Sequence, residues 1–292
     1  MTVAARLATR SWTDGPAGSG AGSGEAAGAG GVERAAGPLA VLLHGVTSSS
    51  QSWWRVGPRL AGRGYRVLAV DLRGHGASPR TSQGLGLGDL ADDVIETLGV
   101  DPPGAGPGDP PVDLLVGHSL GALVALGLLA RTPGLARRLV LEDPPGPTGV
   151  DWTALADSIE SDGSRARAEP ETLRRDIEAE NPEWRPDEVD RRLAELAACD
   201  ATAMAAAMRG GGVSFDLAGM AAVVRVPTLL VAGREELGSA LVGPDRRALV
   251  DALAGRGTFE VLGGGHNLHE EEFHPFMETL DRWLGRTGPP RG

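Results

Sequence analysis

The chain has 292 residues, 41% of them hydrophobic, and a formal net charge of -11 at neutral pH. That length suits one large core, and the negative balance, offset by no basic run, argues against nucleic acid and anionic membranes as partners. All 28 basic residues are arginine, which excludes Schiff-base chemistry, pyridoxal phosphate attachment and a Walker-type phosphate loop, each of which needs a lysine.

Met1–Arg10 has no long apolar run followed by a small-residue cleavage site, so no secretory signal is expected there. The longest apolar stretch, Leu120–Ala130, is roughly half of the ~20 residues a membrane span needs. A soluble, cytoplasmic protein is the expectation. Cys199 is the only cysteine, so an intrachain disulfide and a cysteine-based metal cluster are ruled out, and its alanine-rich surroundings predict a small packed residue.

In chain order, Val3–Trp12 has strand length, and residues 15–37, mostly Gly, Ala and Ser, read as a flexible loop. From Leu39 onward short apolar runs alternate with longer amphipathic segments. The runs are Leu39–Leu43, Tyr65–Val70, Val112–Val116, Leu139–Leu141, Thr228–Ala232 and Thr258–Leu262. Most are apolar on both faces, which predicts an α/β fold with a mostly parallel central sheet covered by helices on both sides. Helical spacing appears at Gly88–Leu98, Leu120–Arg131 and Asp245–Leu253, and most clearly where Phe273, Phe276, Met277, Leu280, Trp283 and Leu284 share one face. The Pro- and Gly-rich segment Asp101–Pro111 reads as a loop.

Between residues 144 and 223 the strands vanish and helical segments take over, one of them carrying Val189, Leu193 and Leu196 at helical spacing. This predicts a helical lid over the strand ends, with the core formed by residues 1–143 and 224–292. The alanine- and methionine-rich Ala201–Met208, with Trp53, Trp54 and Trp184, is expected to leave a roomy apolar substrate pocket.

Gly117-His118-Ser119-Leu120-Gly121 follows one of the strands directly and opens a helix. A sharp strand-to-helix turn strains the serine backbone, needs glycines nearby for close chain approach, and exposes the hydroxyl where helix amides favour negative charge. Ser119 is therefore the expected nucleophile. Serine needs a base, and His266, in the loop Gly263-Gly264-Gly265-His266 after the last strand, is favoured over His269. His44, His75 and His118 read as structural members of turns. The supporting carboxylate is expected at Glu236, three residues beyond Gly233, with Asp143 and Glu235 as alternatives. For the oxyanion, the amides of Val46 and Leu120 are the expected donors, with Gly45 allowing the chain to turn. Neither a metal site nor a cofactor is expected.

These pieces resemble the α/β-hydrolase superfamily. LLHG at Leu42–Gly45, DLRGHGAS at Asp71–Ser78, GHSLG at Gly117–Gly121, VPTLLVAG ending at Gly233 and GGGHNLH at Gly263–His269 stand in the order that resemblance requires. It implies an α/β-hydrolase fold, Ser119 as nucleophile, His266 as base, and the Val46 and Leu120 amides as the oxyanion hole. Many relatives carry aspartate where this chain has Glu235 and Glu236. The expected reaction is hydrolysis of a carboxylester, lactone or thioester of a small apolar substrate through an acyl-enzyme. Rival readings are a C–C bond hydrolase, a lyase or cyclase on the same triad, and a non-catalytic ligand-binding homologue. A serine at 119 argues against the epoxide and halide chemistry of relatives with an aspartate nucleophile. A homodimer is compatible with the sequence.

Overall fold

The computed structural model describes residues 3–13, 26–27, 37–81, 85–100, 110–209 and 215–287. Its strands are β1 (Thr9–Trp12), β2 (Ala26–Ala27), β3 (Leu39–Leu43), β4 (Arg66–Val70), β5 (Val112–His118), β6 (Ala136–Glu142), β7 (Thr228–Ala232) and β8 (Gly257–Val261). They form one eight-stranded sheet in the order β2-β1-β4-β3-β5-β6-β7-β8. From β3 to β8 all pairings are parallel, while β1 runs antiparallel to both of its neighbours.

The inner strands read as unbroken apolar runs because the sheet is buried on both faces. Val41, Leu43, Leu115, Leu139, Leu141 and Leu230 belong to one core cluster, and their chain neighbours Ala40, Leu42, Leu114, Val116, Val140 and Leu229 to the other. The period of two characteristic of strands thus sorts alternate residues between two hydrophobic layers. Helices α1 (Val56–Ala61), α2 (Leu87–Leu98) and α3 (Leu120–Arg131) lie in the first half of the chain. α2 ends at Gly99, whose φ of 63° suits a glycine.

Between β6 and β7 run α4 (Trp152–Ala168), α5 (Pro170–Glu180), α6 (Pro186–Ala197), α7 (Ala201–Arg209) and α8 (Leu217–Ala222). Local chemistry starts these helices. Asp151 accepts from the Thr153 and Ala154 amides at the head of α4, and Pro170 and Pro186 occupy first turns where no amide is needed. Ala166, Leu173, Ile177, Val189, Leu193 and Leu196 close a separate small core among α4, α5 and α6. α9 (Gly243–Ala252), α10 (Leu268–Glu271) and α11 (Phe273–Thr287) complete the chain. Phe276, Met277, Leu280 and Trp283 of α11 cover the second face of the sheet. Among the described residues no helix is long and apolar enough to cross a membrane.

Two of the expected loops fall largely outside the described residues. The loop expected over residues 15–37 lies outside the described residues except for Ala26–Ala27, which pairs with β1, and Gly37; most of Asp101–Pro111 is likewise outside them. Helix α1 had no periodic signal, because six residues with Pro58 inside are too few to establish one. The register brings Leu43 level with Gly117, His118 level with Glu142 and Glu142 level with Val231. The carboxyl ends of β3, β5, β6 and β7 therefore form one rim.

Candidate active site

Three non-glycine residues among those described have positive φ: Thr47 at 60°, Ser119 at 52° and Asp143 at 41°. Each lies just beyond the end of a rim strand, β3, β5 or β6, where strained backbone marks a site of function. Ser119 (ψ -117°) turns β5 into α3, and its amide is satisfied by the Glu142 carbonyl at 2.9 Å. The turn closes only because Gly121 lacks a side chain: a Cβ there would meet the Leu43 carbonyl oxygen at 2.2 Å.

Ser119 Oγ lies 2.9 Å from His266 Nε2, and His266 Nδ1 lies 2.6 Å from Asp143 Oδ2. A carboxylate on Nδ1 keeps the proton there, so Nε2 is the acceptor facing the serine hydroxyl. Asp143 is fully buried and each oxygen has further donors. The Gly233 amide and Ser239 hydroxyl reach Oδ1 at 3.2 and 2.6 Å, and the Ala240 amide reaches Oδ2 at 2.7 Å. Such a carboxylate is held in one orientation.

This corrects the expected acid. Glu236 lies in a short 3₁₀ turn, Glu235–Leu237, with a side chain 70% exposed and Arg234 at 3.9 Å. Glu235 turns toward the start of α9, where it accepts from the Gly243 amide at 3.1 Å and pairs with Arg246 at 3.6 Å. The loop after β7 therefore contributes hydrogen-bond donors to Asp143, just past β6, and it is Asp143, not Glu235 or Glu236, that is hydrogen-bonded to His266.

The other expected residues divide. Val46 and Leu120 both line the cavity over Ser119. The Val46 amide has no acceptor among the described residues, and the Leu120 amide, in the first turn of α3, has none within its helix. Trp184 lines the same cavity, but Trp53 and Trp54 do not. Ser49 caps the 3₁₀ turn Ser50–Trp54 and turns Trp53 into the core, where it is fully buried and stacked on His269 at 4.2 Å. Trp54 points outward beneath the guanidinium groups of Arg55, Arg185 and Arg191. Met208 of α7 lines the cavity, as the alanine- and methionine-rich segment led one to expect, whereas Cys199 is buried and its thiol is pushed up to about 12 by that burial.

His269 is spoken for by Glu142, whose Oε1 accepts from its amide and its Nδ1, each at 2.8 Å. Burial alone would lower the His269 pKa, but the Glu142 carboxylate more than reverses this and the net shift is upward. His118 is held neutral by burial and by the neighbouring imidazoles of His266 and His269. Its Nε2 donates to the His266 carbonyl at 3.0 Å and so steadies the His266 loop. Among the described residues no group of three or more His, Cys, Asp or Glu could hold a metal ion.

The cavity has a volume of about 530 Å³. Its lining combines apolar side chains, among them Leu120, Leu123, Leu155, Ile159 and Met208, with polar ones such as Ser48, Ser52, Arg192, Glu195 and Asn267. Glu195 gave no signal in the sequence, yet it is a buried acid in this lining. Burial and the nearby Glu270 raise its pKa from 4.5 to about 7, against the lowering effects of Arg192, the Ser49 hydroxyl and Arg191. An acid whose pKa rises on folding costs no stability below about pH 4.5, where it is protonated in both states. The penalty grows as pH climbs from there to about 7 and is constant above. Glu195→Gln is therefore expected to gain thermal stability relative to the wild type as pH is raised from 4.5 to 8. Parallel Tm curves for the two proteins would contradict this assignment.

A serine, a histidine and an aspartate in hydrogen-bonded series on the rim of a parallel sheet, the serine at a strained strand-to-helix turn, define a protein of the α/β-hydrolase fold. Residues 40–281 match the alpha/beta hydrolase family, and the chain belongs to that family. It is 29% identical to RutD of Variovorax paradoxus, a protein named as a carbamate hydrolase, over 86% of this chain and 93% of that one. It is 33% identical to 2-(acetamidomethylene)succinate hydrolase of Mesorhizobium japonicum over 46% of this chain, a match that spans 43% of that protein's length. Among solved structures, the enol-lactonase of Burkholderia xenovorans superposes with a TM-score of 0.66 at 22% identity, covering 87% of this chain and 94% of that one.

Proposed function

We propose that this chain is a serine hydrolase that cleaves an ester-like bond of a small, largely apolar substrate through an acyl-enzyme. The observation that carries the reading is the series Ser119 Oγ, His266 Nε2, His266 Nδ1, Asp143 Oδ2 at 2.9 and 2.6 Å, opening into a cavity of about 530 Å³. In this reading Ser119 Oγ attacks the carbonyl carbon as His266 takes the hydroxyl proton, and Asp143 stabilises the imidazolium. The tetrahedral oxyanion rests against the Val46 and Leu120 amides. His266 then returns the proton to the departing alkoxide or thiolate as the bond to it breaks. A water, deprotonated by His266, releases the acid and restores the serine.

The helices between β6 and β7 serve as the lid, since Trp152 and Ile159 of α4, Arg192 and Glu195 of α6 and Met208 of α7 all wall the cavity. The structural likeness to an enol-lactonase is compatible with a cyclic or linear ester. The same geometry can act on an amide-like carbonyl, and the relation to RutD makes carbamates the second class to screen.

The test is pre-steady-state hydrolysis of a p-nitrophenyl ester in ¹⁸O-labelled water. The reading predicts catalytic release of p-nitrophenol and one solvent oxygen in the product acid. A protein that binds such esters without turnover, or whose product carries no solvent oxygen, would remove it.

A further inference from the structure

The loop that carries the Val46 amide is gripped from the lid side by one helix. Arg192 of α6 donates from Nη1 to the Thr47 carbonyl at 3.0 Å and from Nη2 to Thr47 Oγ1 at 3.1 Å. One turn further along, Glu195 Oε1 accepts from the hydroxyls of Ser48 and Ser49 at 3.2 and 3.0 Å. Arg192 and Glu195 are three residues apart and so share a helix face. The adjoining face of α6, with Val189, Leu193 and Leu196, is buried in the small core that α6 forms with α4 and α5. Helix α6 therefore connects the helices between β6 and β7 to the loop by four hydrogen bonds.

What it grips is strained. Thr47 has φ 60°, a left-handed conformation that a β-branched side chain strongly disfavours. It follows Val46 directly, inside the turn closed by the Ser48 amide and the Gly45 carbonyl at 3.3 Å. Relaxation of Thr47 to negative φ would turn the peptide that joins Val46 to Thr47 and, through the Val46 Cα, disturb the neighbouring peptide that carries the Val46 amide. Its carbonyl and its hydroxyl are engaged by a single guanidinium fork, which fixes carbonyl and side chain together.

We propose that Arg192, supported by Glu195, is a positioning residue that holds Thr47 in its left-handed conformation, so that the seating of lid helix α6 sets whether the Val46 half of the oxyanion site is formed. Lid closure and oxyanion stabilisation are then one event, and an unseated lid leaves an enzyme with an intact triad and a half-built oxyanion site. This rests on the hydrolase reading given above.

The test uses Arg192→Ala and Arg192→Lys in the full chain, with kcat and KM on an activated ester and the Ki of an aryl trifluoromethyl ketone, whose adduct with the serine bears an oxyanion. Outright removal of an oxyanion donor costs about 10²–10³ in kcat, and loosening one is expected to cost about 10- to 100-fold, with KM changed little. The ketone Ki should rise by a similar factor. Lysine, which cannot form the fork, should fall between alanine and the wild type and provides the reading if the alanine variant folds poorly. The decisive arm is Thr47→Gly placed on Arg192→Ala. Glycine adopts positive φ without a Cβ penalty, so this second change should restore part of the lost kcat, an effect that a merely structural arginine would not give. Unchanged kcat in Arg192→Ala, a kcat loss without a matching change in ketone Ki, or no recovery with Thr47→Gly would each overturn the proposal. Wild-type protein inert to both ester and ketone would instead overturn the hydrolase reading on which it stands.

Discussion

Ser119→Ala and His266→Ala should each lower kcat on an activated ester by about 10⁴–10⁶-fold, and the double variant should lose no more than the worse of the two. The non-additivity follows from the geometry. A hydroxyl whose proton goes to Nε2 at 2.9 Å is useless without the imidazole, and the imidazole has no other reacting group in reach. Neither change disturbs the backbone strain at Ser119, which is set by the close approach of Gly121 to Leu43, so both variants should fold. The measurement is steady-state kinetics of the two single variants and the double variant. Losses that multiply would mean that the two residues act on different steps.

Asp143→Asn comes next, at about 10³–10⁴-fold in kcat, against no more than about a twofold change for Glu236→Gln. An aspartate at 143 accepts the Nδ1 proton and so presents Nε2 as acceptor to the serine. An asparagine can turn its NH₂ toward Nδ1, which favours the other tautomer and points an N–H at the serine. A second cost arises because all four groups around Asp143, the amides of Gly233 and Ala240, the Ser239 hydroxyl and the His266 ring, donate to it. An NH₂ placed among donors leaves at least one unpaired, so Tm should fall as well, by about 1–3 kcal/mol of stability. Rates are therefore to be compared well below the Tm of the variant. Glu236 stands in solvent and serves as the matched control.

Why the sequence points to Glu236 while the fold sets Asp143 against His266 is a matter of which loop folds over which strand end. Both β6 and β7 end at the same rim and have carboxylates at or shortly after their ends, and local pattern fixes only where each strand stops. The choice is tertiary. The loop after β7 bends back so that the Gly233 and Ala240 amides and the Ser239 hydroxyl converge on Asp143, and Gly238 at φ 94° then reverses the chain with Glu236 left outside. None of these contacts is local in sequence. Ser119 and His266 are legible because their positions depend on local devices: glycines flanking a strand-to-helix turn, and a glycine run after the last strand. The sheet is legible because burial on both faces writes itself as short apolar runs.

Trp53 and Trp54 illustrate the limit from the other side. As adjacent aromatics near the oxyanion loop they suggest a pocket wall, but a five-residue 3₁₀ turn sends one into the core and the other under three arginines. Arg192 and Glu195 left no trace at all, since a polar face on a helix reads as solvated surface until its partner loop is known. That face is where the helices between β6 and β7 meet the loop that carries the Val46 amide.

The most direct test of the central claim is labelling with a fluorophosphonate probe followed by peptide mapping, on the wild type and on Ser119→Ala. An activated serine predicts one adduct on the peptide containing Ser119 in the wild type and none in the variant. A wild type that takes up no probe, or an adduct that persists in Ser119→Ala, would contradict it.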